Sequence, residues 1–362
     1  MRPKYFRFNG GRLVLPVFFP DATRGFVKTL DFLDVKKTGV QGVLVNTFHL
    51  WQLMNRKILK KAGGIRGFMG YHGAVISDSG GFQVMSVIKK GISSGRITDE
   101  GVILNPSRNK RLIFTPEESI RFQMELETDM VVVLDDFTDP GVGHKKADES
   151  VSRTIDWARR SKAEFEKICK KKGLKGDKKP YLLGVVQGGE FMDLREKCTK
   201  ELVKIGFDGL GWGGWPIKNG KINFESAKVI SKFSPSNYLL YGLGIGKPED
   251  VVNCFGLGFS IFDCVLPTRD GRHGRLYLFN SDSIDEININ VGDFYHFYDA
   301  KKEKNLTDNS KISNYCDCIL CKNYSRSYLY HLFKIENLIA MRLSSIHNLR
   351  FYSLLLDKLR NA

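Results

Sequence analysis

Long apolar runs are what this sequence of 362 residues most plainly lacks. None approaches the roughly 20 residues a bilayer-spanning helix needs, and the start, Met1-Arg2-Pro3-Lys4-Tyr5, carries no apolar segment of the kind that directs export. The sequence therefore reads as a soluble, cytoplasmic protein with no membrane partner. Acids are also in short supply, with 40 Asp+Glu facing 56 Lys+Arg, a net charge of +16 and a pI near 9.4. That excess favours a polyanionic partner through long-range attraction and counterion release, although it equally describes a basic protein that repels its own copies. Cysteine is sparse, and four of the seven (Cys169, Cys198, Cys254, Cys264) are scattered as free thiols would be. No Gly-x-Gly-x-x-Gly follows the first strand-like run, so the dinucleotide fingerprint is missing.

What is present is a repeated pattern. After an alternating stretch at 7–20 that reads as a hairpin around Gly10-Gly11, apolar strand-like runs recur at 42–46, 74–78, 130–135, 181–187, 207–210, 238–244 and 259–263. Each is followed by a stretch of helical character. Continuous apolar strands alternating with helices imply a parallel sheet covered on both faces, and seven units within about 220 residues predict an α/β fold, a (β/α)₈ barrel of the TIM type. The eighth strand has no clear place, and a doubly wound open sheet fits the pattern too. Residues 277–298 alternate apolar and acidic positions, which predicts an excursion of short antiparallel strands. Residues 333–359 have helical spacing and should pack on the barrel.

Polar residues end these strands: Asp78, Asp135, Gln187, Gly213-Gly214, Gly244 and Asp263. That is the face on which barrel enzymes build their sites. Asp263 closes the apolar run Phe259-Ser260-Ile261-Phe262 just before a turn-rich segment holding three arginines, and a carboxylate there is paired, capping or functional, since burying it alone costs several kcal/mol. Asp78, in Ser77-Asp78-Ser79-Gly80-Gly81-Phe82-Gln83, reads as well as a helix cap as it does as an acid beside a ligand. Asp135 and Asp136 point in opposite directions if their strand continues, so at most one faces a site. Gln187 offers both a donor and an acceptor ahead of Gly188-Gly189.

The remaining cysteines, in Cys316-x-Cys318-x₂-Cys321, supply three thiolates on one short turn. With a histidine from downstream, His331 or His347, they make a tetrahedral Cys₃His zinc set with no open position, hence a structural metal. His331 is the nearer in sequence. Basic charge interleaved with Tyr315, Tyr324, Tyr328 and Tyr330 over 300–362 suits either a nucleic-acid backbone or the packing of a small lobe.

Phe262-Asp263-Cys264-Val265-Leu266-Pro267-Thr268-Arg269 resembles the nucleophile segment of bacterial tRNA-guanine transglycosylases, and Asp78-Ser79-Gly80-Gly81-Phe82-Gln83 and Val186-Gln187-Gly188-Gly189 are similar to further segments of that family in the same order. The resemblance runs from Pro16-Val17-Phe18-Phe19-Pro20 through Asn46-Thr47-Phe48-His49-Leu50 to Ile346-His347-Asn348. It implies an enzyme that exchanges the guanine of a U-G-U anticodon loop in tRNA for a free 7-deazaguanine base. In that reading Asp263 is the nucleophile at ribose C1′ and Asp78 the general acid and base. Asp135, Gln187 and the backbone of Gly214 hold the base, Phe82 and Leu243 flank it, and Arg269 and Arg272 read the neighbouring uracils. The family spacing selects His347 as the fourth ligand of one Zn²⁺ per chain, and bacterial relatives form homodimers.

The implied organisation is a catalytic barrel over 1–276, an antiparallel excursion with a zinc-binding subdomain over 277–348, and a terminal helix over 349–362. A relative acting on DNA and a non-catalytic RNA-binding subunit are the rival readings, the second opposed by the presence of both Asp78 and Asp263. Two departures from the family bear on the incoming base. Trp215-Pro216-Ile217-Lys218-Asn219 stands where bacterial members read Leu-Ala-Val-Gly-Glu, so the carboxylate that meets an aminomethyl group is missing, and Phe137 stands in place of a small Cys. Both favour a small, neutral 7-substituent, unless the loop brings in another acid such as Glu225.

Overall fold

The computed structural model describes residues 2–89, 94–107, 110–218 and 221–361. Asn219, one of the positions at which the sequence departs from the family, lies outside them. Eight short strands lie parallel in one sheet: β3 (Val17–Pro20), β4 (Gly42–Asn46), β5 (Ala74–Asp78), β9 (Met130–Val132), β10 (Tyr181–Val186), β11 (Gly209–Trp212), β14 (Leu239–Gly242) and β15 (Ile261–Cys264). Their order is β3-β15-β14-β11-β10-β9-β5-β4, and a parallel bridge between Asp21 and Leu44 joins the two ends. The sheet is thus a closed barrel with helices around it, which excludes the open doubly wound alternative.

The strand that the sequence pattern could not place is β3. It is four residues long, bounded by Pro16 and Pro20, and directly follows the hairpin of β1 (Tyr5–Phe8) and β2 (Gly11–Val14), so it reads as the tail of that hairpin. Its pairing is with the last barrel strand, from Ile261 opposite Val17 to Cys264 opposite Pro20. First and last strands meet only once the chain has closed on itself, a long-range contact to which no local signal points.

Alternation sorts the strand residues into two layers. Phe19, Leu44, Ile76, Val132, Val185, Tyr241 and Ile261 fill the barrel interior, while Phe18, Val43, Val75, Val131, Leu182, Leu240 and Phe262 pack outward against the helices. The hairpin plugs the N-terminal end of the barrel: Phe6 and Leu13 join the interior cluster, and Phe6 stacks on Tyr181 with ring centroids 5.1 Å apart. Asp129 fastens this end, accepting from the backbone N–H of Asn9 (2.9 Å) and Val75 (2.8 Å) and pairing with Arg66 (2.7 Å). The opposite, C-terminal end stays open.

Two excursions leave the barrel. The sequence did not foreshadow the first, a three-stranded antiparallel sheet of β6 (Ser94–Thr98), β7 (Gly101–Ser107) and β8 (Lys110–Phe114). It packs through Val102, Leu104 and Phe114 on Phe48 and Trp157. Two further two-residue strands, β12 (Ile217–Lys218) and β13 (Lys221–Ile222), pair beyond β11. The second excursion is the expected one, built of β16 (Arg275–Phe279) and β17 (Tyr295–Asp299), antiparallel. The limits drawn at 276/277 and 348/349 fall inside β16 and inside one unbroken helix, Leu338–Asn361. That helix belongs to both parts: His347 lies in its first half, and Tyr352 packs on Phe18 of β3 with centroids 4.6 Å apart. Among the described residues no helix is long and apolar enough to cross a membrane.

Candidate active site

Five strand ends converge on one cavity of about 280 Å³ at the open end of the barrel, lined by Asp78, Asp135 and Asp263 together with Phe82, Gly214 and Leu243. Asp78 ends β5, directly beside Asn46 at the end of β4. The Asn46 amide donates to Asp78 Oδ2 (2.9 Å), while its own Oδ1 caps the next helix by accepting from His49 N–H (3.0 Å). Asp78 Oδ1 accepts from Gly80 N–H (3.1 Å). Asp78 therefore caps the turn that leads into the next helix and at the same time lines the cavity. Gly80 has φ +91°, and a Cβ on Gly81 would lie 2.7 Å from Asp135 Oδ1, so this glycine pair is what lets two acids share the space.

Asp263 is held at one oxygen only. Tyr241 Oη donates to its Oδ1 (2.7 Å) and so does Gly244 N–H (2.8 Å). Burial pushes the Asp263 carboxyl up to about 7, the nearby Asp78 and Asp21 push the same way, and the two donors offset part of the rise. Asp135 is also pushed up to about 7, by burial first and by Asp78 and Asp136 after it, against a hydrogen bond from Gln187 Nε2 (2.6 Å). Asp78 is raised by the same burial, offset by Gly80 and Asn46. Three carboxyl groups with raised values in one cleft are the mark of a site that moves protons and forms bonds near neutral pH.

Asp136 faces away, as alternation required, and pairs with Arg153 (2.5 Å). Gln187 lies one layer behind the position expected for it. It is fully buried, with Nε2 on Asp135 and Oε1 accepting from Thr138 N–H (3.1 Å), so in this structure it meets the cavity through Asp135. Glu225 pairs with Lys228 (2.8 Å) at the surface and does not line the cavity. Phe82 and Leu243 both line the cavity, and Phe137 packs edge-on to Phe82.

Arg269 and Arg272 stand on the short helix Leu266–Arg272 that follows Asp263. Arg269 is exposed; Arg272 is half-buried, its Nη1 is buried without an acceptor among the described residues, and burial lowers its pKa. An unmet guanidinium donor on the helix that follows Asp263 is suited to a ligand. The helix is fixed from below by Asn348, which donates to the carbonyls of Pro267 (2.9 Å) and Arg275 (3.0 Å). Gly271 permits that contact, since a Cβ there would meet the Ser345 backbone at 2.8 Å.

One residue before Asn348 is His347, and it is this histidine that joins Cys316, Cys318 and Cys321: the four ligand atoms lie within 4.8 Å of one another and all four residues are buried. His347 Nε2 lies 3.0 Å from the Tyr277 carbonyl, which fixes the donor there and leaves Nδ1 for a metal. His331 is exposed on another helix. Three soft thiolates and an imidazole, buried together, fit a metal ion in a closed tetrahedral site.

Residues 2–362 match the family model described as queuine tRNA-ribosyltransferase. The chain belongs to the queuine tRNA-ribosyltransferase family. Relatives of that name from Tolumonas auensis and Shewanella baltica are each 36% identical over 359 residues, covering 98% of this chain and 88% of the relative, and one from Shewanella frigidimarina is 35% identical over the same span. The protein is accordingly a pentosyltransferase of the tRNA-guanine transglycosylase type, and its family acts on tRNA.

Three residues that hold the site together were not singled out as site residues in the sequence. Tyr241 reads as one more core aromatic of its strand, and Asn46 as a helix cap. Arg195 reads as a solvent-facing helix residue, yet it is fully buried and donates to the carbonyls of Val186 (2.7 Å), Gly213 (2.7 Å) and Gly189 (3.0 Å). It ties the Gln187 turn to the Gly213-Gly214 turn, and burial pushes its pKa down to about 10.

The raised pKa of Asp263 has a consequence for stability. A carboxyl that binds its proton more tightly folded than unfolded makes stability fall as pH rises from about 4, the unfolded value, to about 7, after which the loss is complete. Urea unfolding of Asp263→Asn should therefore show a gain over the parent on the order of 1–3 kcal/mol at pH 8, shrinking to nothing near pH 4. A gain of equal size at both pH values would show that ionisation is not its source.

Proposed function

We propose that the protein replaces the guanine of a U-G-U anticodon loop in tRNA with a free 7-deazaguanine base by double displacement. The observation that carries this reading is the convergence of Asp263 and Asp78, from opposite sides of the barrel closure, on one cavity that also presents Asp135. Tyr241 and Gly244 both engage Oδ1 of Asp263, which leaves Oδ2 for bond formation. Oδ2 attacks ribose C1′, the C1′–N9 bond breaks, and guanine departs with a proton from Asp78. The incoming base returns that proton to Asp78, its N9 attacks C1′, and the ester to Asp263 is released. One residue thereby serves both half-reactions.

Asp135, with Gln187 behind it, accepts from N1–H and the exocyclic amine of the base, Gly214 N–H meets the ring carbonyl, and Phe82 and Leu243 flank the ring. Arg269 and Arg272 take the edges of the uracils on either side of the extruded nucleotide. The net charge of +16 favours binding of the polyanionic tRNA. Cys316, Cys318, Cys321 and Nδ1 of His347 would hold one zinc ion, which stiffens the lobe beneath the arginine helix. The working unit is a cytoplasmic homodimer, as in the bacterial relatives that the sequence resembles.

Exchange of labelled guanine into a U-G-U anticodon stem-loop tests the reading. Arg269→Ala and Arg272→Ala should each lower kcat/KM by about 10- to 100-fold, on the order of 1–3 kcal/mol, while binding of free base is unchanged. Undiminished exchange into loops whose flanking uracils are altered, or into the matching DNA hairpin, would contradict it. Metal analysis should find one zinc per chain in the parent and in His331→Ala, and little in His347→Ala. Cys318→Ser should lose zinc, stability and tRNA affinity together.

A further inference from the structure

One wall of the active-site cavity is made of three aromatic rings. Phe82 packs edge-on to Phe137, with centroids 5.2 Å apart at 66°, and nearly parallel to Trp215, 6.5 Å away at 24°. Behind each outer ring lies another cavity. Trp215 lines both the active-site cavity of about 280 Å³ and a neighbour of about 270 Å³ that holds Asp139, Glu190 and Asn223. Phe137 likewise lines the active-site cavity and a third one of about 370 Å³. Each ring is thus a partition one side chain thick. The Trp215 ring is half-exposed, and the Trp215 backbone is set by the turn around it: Gly214 has φ +78°, and the Pro216 carbonyl accepts from Asn223 N–H (2.7 Å).

In a guanine-like ring the carbonyl at position 6 and whatever stands at position 7 share one edge. If the carbonyl meets Gly214 N–H, position 7 faces the next residue of the chain, Trp215. We infer that Trp215, stacked on Phe82, is the residue that sets which 7-deazaguanine is accepted: a compact substituent such as a nitrile ends at the ring, while the aminomethyl-cyclopentenediol arm of queuine runs into it and is refused. This inference rests on the base orientation of the proposed transglycosylase reaction. Removing the indole would join the two cavities and give the arm, with its cationic amine, a path toward the walls that carry Asp139 and Glu190.

The test measures kcat/KM for guanine, 7-cyano-7-deazaguanine and queuine on one tRNA, with the parent enzyme, Trp215→Ala and Trp215→Leu. Calorimetry of the free bases on each protein runs beside it and needs no turnover. The parent should prefer the cyano base to queuine by at least tenfold, and both variants should raise the ratio of queuine to guanine at least tenfold, in turnover and in binding. A parent that takes queuine as well as the cyano base, or variants that still exchange guanine with the ratio unmoved, would overturn the partition. Absence of guanine exchange in the parent would instead strike at the transglycosylase reading, and the binding ratios would still decide the role of Trp215. If Trp215→Ala fails to fold, the smaller change in Trp215→Leu carries the comparison.

Discussion

The constraint on which the site depends is the cost of taking three carboxyl groups out of water within one cavity. Ionised together and unassisted they would be expelled or would stay protonated, because desolvation and mutual repulsion act in the same direction. The fold meets that cost with specific donors: Tyr241 and Gly244 for Asp263, Asn46 and Gly80 for Asp78, Gln187 for Asp135. The outcome is three carboxyl groups with raised pKa values, Asp135 and Asp263 at about 7, and in Asp263 a carboxyl with one oxygen anchored and the other available. A stronger donor set would stabilise the carboxylates and blunt them as bases.

Those donors are themselves placed by elements outside the cavity. Gln187 is fixed by Thr138 N–H and by the turn that Arg195 closes with three carbonyls. The helix bearing Arg269 and Arg272 sits on Asn348, whose neighbour His347 belongs to the buried Cys₃His group. A metal held next to Asn348 would thus support the helix that carries Arg269 and Arg272 without lining the cavity. Its contribution passes through the rigidity of one helix, Leu338–Asn361, which also packs on the strand that closes the barrel.

Much of this was legible in the sequence because a barrel of parallel strands writes its active face as polar residues at strand ends. Asp78, Asp135 and Asp263 stand out against apolar runs for that reason, and the opposite facing of Asp136 followed from alternation alone. The choice of His347 over His331 was not legible from spacing and needed the family resemblance, since the nearer histidine is the one left in solvent. Strand β3 and the sheet β6–β8 escaped assignment: the first is four residues that read as the tail of a hairpin, and the second consists of short strands outside the repeating strand–helix pattern. Tyr241 and Arg195 escaped because their roles arise from what faces them across the fold. A buried tyrosine in a strand looks like packing until an acid is found opposite its hydroxyl.

The central claim is that Asp263 forms a covalent bond to the ribose. Parent enzyme incubated with a U-G-U tRNA stem-loop and a free 7-deazaguanine, then run on a denaturing gel, should give a slow-migrating protein–RNA band that is absent with Asp263→Asn. No such band from an enzyme that is turning over, or a band that survives in Asp263→Asn, would contradict the account.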